Sequence, residues 1–176
     1  MIDAAVKGLA TGFRHGLPMA TAILATFVDV LPLPDAGPGA IAPHLTLAVV
    51  FFWCVHRPEL LPPGAIFVTG LIGDVVAALP PGMNAFSLLI VPLLLRRAPR
   101  AAMARASSVV WAAFAVTAVT VGLIRWLLGT SFWESPLPFQ PFMFETAFTV
   151  AIFPLVSWLL SRLQELCLEK PRASGS

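Results

Sequence analysis

The sequence predicts an all-α integral membrane bundle of six short transmembrane helices with both termini on the cytoplasmic side. Three observations predict it. Of 176 residues, 58% are hydrophobic and 11% charged, with a mean hydropathy of +0.87, whereas soluble globular domains carry about 25% charged residues. Apolar runs recur at 17 to 33, 40 to 55, 65 to 79, 83 to 95, 107 to 128 and 141 to 161, separated by the Pro and Gly that stop one helix and start another. With six spans and the N-terminus inside, ten of the eleven Lys and Arg fall on inner segments and only Arg125 lies outside, the asymmetry of the positive-inside rule. Four of the ten lie in the loop from Arg96 to Arg105, which anchors the orientation.

A chain of this length holds five to seven spans of about 20 residues and no further folded unit, so residues 1–176 are expected to form a single membrane domain. Residues 1–16 place Ile2, Val6, Leu9 and Phe13 at helical spacing, with Asp3, Lys7 and Arg14 elsewhere, which suits an interfacial N-terminal helix. A signal peptide is the competing reading, but no small-residue cleavage pattern follows the apolar core. The six-helix bundle is expected over 17–161. Its second span is the least clearly marked, because Pro43 and His44 interrupt it early. The tail 162–176 becomes polar and ends in Ala-Ser-Gly-Ser, a composition that points to disorder at its end.

The third span is the most informative. Two Leu-Pro-Pro-Gly turns, at 61 to 64 and 79 to 82, bracket it, and Asp74 lies within it. Gly70, Gly73, Asp74, Ala77 and Ala78 stand at i, i+3, i+4, i+7 and i+8, on one helical face. Small faces let backbones approach closely in lipid, and an ionised Asp at the centre of a span costs about 2.5–3.5 kcal/mol on insertion scales. Asp74 is therefore expected to face protein, as a polar key in a packing seam. On the six-span topology Asp29, Asp74, Arg125 and Glu145 share the outer half of the bilayer, and Arg125 extends the small face of Ala115, Ala118 and Gly122. Arg125 is expected to form an intramembrane ion pair with Asp74 or Glu145. The alternative is that it snorkels to the headgroups while Asp29 and Glu145 are simply solvated. Trp53, Trp111, Trp126, Trp133 and Trp158 all lie near span ends, as aromatic belts do.

No constellation points to catalysis, a cofactor or a metal. His15, His44 and His56 are scattered, and Cys54 and Cys167 are neither paired nor at ligand spacing, so no metal site is expected. There is no Gly-rich phosphate loop and no Gly-x-Ser-x-Gly elbow. The basic residues flank spans, which argues against nucleic-acid binding.

The stretch Trp53-Cys54-Val55-His56-Arg57-Pro58-Glu59, followed by Gly70-Leu71-Ile72-Gly73-Asp74 and Pro81-Gly82-Met83-Asn84-Ala85, resembles the MreD family of bacterial rod shape-determining membrane proteins. Length and span number agree along nearly the whole chain. One departure is Pro80-Pro81-Gly82, where Pro-Leu-Gly is more usual. The resemblance implies a non-enzymatic subunit of the cell-elongation machinery in the cytoplasmic membrane. Its partners would be an MreC-like membrane protein and, indirectly, the MreB filament, RodA and a class B penicillin-binding protein that build lateral-wall peptidoglycan. Arg57, Pro58, Gly70, Gly73, Asp74, Ala77, Pro81, Gly82 and Asn84 would then be structural or partner-binding positions. The family is also similar in architecture to the substrate-binding subunits of energy-coupling-factor vitamin transporters, which makes such a subunit the runner-up function.

Overall fold

The computed structural model describes residues 2–31, 42–98, 103, 106–132 and 138–168, with side chains described from Gly16 to Cys167 within that set. The Arg100 and Arg105 part of the basic loop, Trp133 and the end of the tail lie outside the described residues. The described residues form six helices and no strand: α1 (Ile2–Val30), α2 (Leu45–His56), α3 (Pro63–Val76), α4 (Met83–Leu95), α5 (Ser107–Phe132) and α6 (Phe139–Leu168). Of these, Ser107–Phe132 and Phe139–Cys167 are long and apolar enough to cross a membrane.

The packing is that of a protein immersed in lipid. On α3 the large side chains Val68, Leu71 and Val75 are exposed, Val75 by 73%, whereas Thr69, Gly70, Gly73 and Asp74 are buried. On α1 the same inversion exposes Leu24, Phe27 and Val28 and buries Ala22, Ala25 and Thr26. Where lipid solvates apolar side chains as well as a neighbouring helix does, small and polar residues turn inward. Helix α2 is buried on every side over about two and a half turns, and it is the central element. It packs against α1, α4, α5 and α6 and buries nine residues, Thr46 to Cys54. Its Phe51 ring meets Phe114 of α5 and Phe153 of α6 edge-on, with centroids 5.1 and 5.6 Å away, and those two rings stack at 3.9 Å. Such aromatic geometries stabilise beyond the area they bury.

Several boundaries differ from the sequence reading. Helix α1 is continuous over Ile2–Val30, without a break between an interfacial segment and a span. Helix α2 begins at Leu45 rather than near 40, because Pro43 fixes its own φ and disfavours helix in the residue before it. The two Leu-Pro-Pro-Gly stretches also part ways. At the first, Pro62 is the N-cap of α3 and Pro63 its first residue, with Gly64 inside the helix. At the second, Met83 donates its N–H to the Pro80 carbonyl (3.1 Å) across Pro81 and Gly82, and Gly82 has φ 101°. That is a type II turn, which needs positive φ at its third residue. Ala78 falls outside the small face of α3. It sits past the end of α3 at φ 51°, with Ala78 and Leu79 donating to the carbonyls of Val75 and Asp74, a Schellman closure with Ala where Gly is usual. Trp53 is no belt residue: it is fully buried, and its Nε1–H donates to Thr21 Oγ1 at 3.0 Å.

Candidate functional site

The polar groups gather at the end of the bundle where α1, α3 and α5 finish and α2, α4 and α6 start. Each new helix opens with backbone N–H groups that have no partner within the helix, and in hydrocarbon no water takes their place. Neither α2 nor α4 has a local side-chain cap, since their N-cap residues are His44 and Gly82. Distant carboxylates do this work instead.

Asp74, 0% exposed, accepts from the N–H groups of Gly82 and Asn84 at 2.7 Å each, with Ala85 at 3.5 Å. A carboxylate at a helix N-terminus also gains from the helix dipole, so the seemingly costly buried acid is held by charge-assisted hydrogen bonds. The close approach depends on glycine. A Cβ on Gly70 would lie 2.4 Å from the Ala85 Cα, and one on Gly73 would lie 3.2 Å from Thr26 Cγ2.

Asp29 repeats the device for α2. Its Oδ1 accepts from Leu45 N (2.8 Å) and its Oδ2 from Thr46 N (3.0 Å), with His44 Nδ1 3.2 Å away. The His44 backbone N–H goes to Thr149 Oγ1 of α6 at 2.8 Å. Thr46 Oγ1 donates to Thr26 Oγ1 at 3.1 Å, which ties α2 to α1. The third acid, Glu145, pairs with Arg125 across α5 and α6. Asp74 is not the partner of Arg125, because its oxygens are engaged by the α4 amides.

The structure thus places Gly70, Gly73, Asp74, Gly82 and Asn84 in one seam between α3 and α4, with Arg125 and Glu145 close by. Ala77, half-buried, is the C-cap of α3, and Pro81 is exposed in the turn. Arg57 and Pro58 lie apart, in the turn from α2 to α3, where Arg57 faces Glu59 at 3.6 Å. Sequence reasoning missed Asp29, His44 and Thr149 as members of this network. The available signal was an apolar helix beginning at Leu45 with no local N-cap, soon after a carboxylate. Asp29, His44, Thr69, Asn84, Arg125 and Glu145 line one cavity of about 210 Å³. The hydroxyls that line it are committed, Thr26 and Thr69 each donating to a backbone carbonyl four residues earlier and Thr46 to Thr26 Oγ1. Among the described residues, no three His, Cys, Asp or Glu gather as a metal site.

A family model described as rod shape-determining protein MreD matches residues 13–163. The chain belongs to the MreD family. It is therefore a rod shape-determining membrane protein, and the matched region contains both capping carboxylates and the Arg125–Glu145 pair. No curated protein and no solved structure matches the chain.

Proposed function

We propose that this MreD-family chain is a non-enzymatic, multi-pass scaffold subunit of the cell-elongation machinery in the bacterial cytoplasmic membrane. It binds an MreC-like membrane protein and through it supports the MreB filament, RodA and a class B penicillin-binding protein in lateral-wall peptidoglycan synthesis. The family match over residues 13–163 carries this reading. The geometry is consistent with it, because the buried acids are spent on fixing helix starts and leave broad apolar faces for lipid and for other membrane helices. The distribution of Lys and Arg supports an orientation with both termini in the cytoplasm and the polar end outward.

Co-purification tests the proposal. Tagged chain extracted in mild detergent is expected to retain a co-expressed MreC-like protein through size exclusion. Separate elution of two folded proteins would refute the scaffold reading.

A further inference from the structure

The cavity at the polar end has features that capping and ion pairing leave unused. All six helices contribute to its wall. Three buried polar atoms of its lining residues, Arg125 Nε, His44 Nε2 and Asn84 Oδ1, have no hydrogen-bond partner among the described residues. Asn84 is only 8% exposed and the His44 side chain 10%. Buried polar atoms in folded proteins are nearly always partnered, so three at one cavity mark a place where something else supplies the partners.

Their chemistry specifies what that is. Arg125 Nε can only donate and Asn84 Oδ1 can only accept. His44 Nε2 donates or accepts according to the ring's tautomer, so it serves either kind of partner. Arg125 is already paired with Glu145, and Asp29 already accepts from two backbone amides beside His44 Nδ1. An anion would meet two carboxylates there, and a cation would meet Arg125. The fitting group is neutral and presents an acceptor beside a donor, as a carboxamide does. A 150 Å³ cavity accepts benzene, so about 210 Å³ accepts a ring bearing one carboxamide. We propose that this cavity is a binding site for a small neutral carboxamide of about nine heavy atoms. The site does not depend on the scaffold reading.

Ligand-observed saturation-transfer NMR on the detergent-purified chain tests it, with benzamide as the probe, benzoate as the charged control and toluene as the control for partition into detergent. Benzamide is expected to saturate with Kd on the order of 1 mM, within reach of a ligand that small, while benzoate and toluene give only non-saturating signal. Asn84→Ala removes a side-chain acceptor but leaves the backbone N–H that Asp74 caps, and it should weaken benzamide about 10-fold. Ala42→Phe, on the non-helical segment at the cavity edge, should obstruct binding even if Asn84→Ala does not fold. Non-saturating benzamide signal, benzoate binding as tightly as benzamide, or wild-type binding by a folded variant would each overturn the proposal.

Discussion

Replacing Asp74 with Ala removes the cap of α4 without adding bulk, and the structure sets the size of the effect. Two backbone N–H groups, of Gly82 and Asn84, lose acceptors at 2.7 Å in a site with no solvent exposure. Each orphaned buried donor costs about 1–3 kcal/mol, so the loss is roughly 2–6 kcal/mol, with about 0.3–1 kcal/mol more from the helix dipole. Taking roughly 4 kcal/mol, and about 3 °C per kcal/mol for a chain of this size, the melting temperature falls by about 12 °C. Asp74→Asn keeps one acceptor and turns an NH₂ toward the other amide, so it falls between Ala and wild type. Thermal unfolding in detergent, followed by tryptophan fluorescence, measures both. The double variant with Arg125→Leu should be additive with Asp74→Ala, because Arg125 is paired elsewhere. A shift under about 3 °C for Asp74→Ala, or strong coupling to Arg125, would refute the capping argument.

Other substitutions probe the remaining joints. Gly70→Ala puts a Cβ 2.4 Å from the Ala85 Cα and should cost about 2 kcal/mol as α3 and α4 are forced apart, while Gly64→Ala, inside α3 with nothing within 4 Å of the added Cβ, should melt at or slightly above the wild-type temperature. Ala78→Gly relieves a left-handed residue at φ 51° and should stabilise by about 1 kcal/mol, read as a rise in melting temperature; a fall would contradict the Schellman geometry. A Glu145→Gln, Arg125→Leu double-mutant cycle on the same unfolding transition should show coupling of about 2 kcal/mol, and additivity there would dissolve the pair.

How much of this the sequence revealed follows from which signals are local. The small face of α3 was readable from spacing, since Gly70, Gly73 and Asp74 recur at helical intervals, and the α4 boundaries at Met83 and Leu95 follow directly from the Pro-Pro-Gly turn and the end of the apolar run. That Asp74 serves backbone amides rather than Arg125 was not readable. It depends on a type II turn folding α4 back so that its first N–H groups meet the acid eight to eleven residues earlier. Asp29 was harder still, because its acceptor role spans a Pro-rich connection and the His44 beside it is held by Thr149, 105 residues away. Trp53 misled because a tryptophan near a helix end has the same one-dimensional signature whether it faces headgroups or the Thr21 hydroxyl. The two Leu-Pro-Pro-Gly stretches look alike in sequence, yet only Gly82 adopts positive φ, because only there must the chain reverse within two residues.

Membership of a rod shape-determining family predicts that cell shape depends on this chain. Depleting the protein in the bacterium that makes it, then restoring it from a plasmid, is predicted to turn rods into rounded cells and back, with Asp74→Ala restoring them poorly. Cells that stay rod-shaped through complete depletion would contradict the claim.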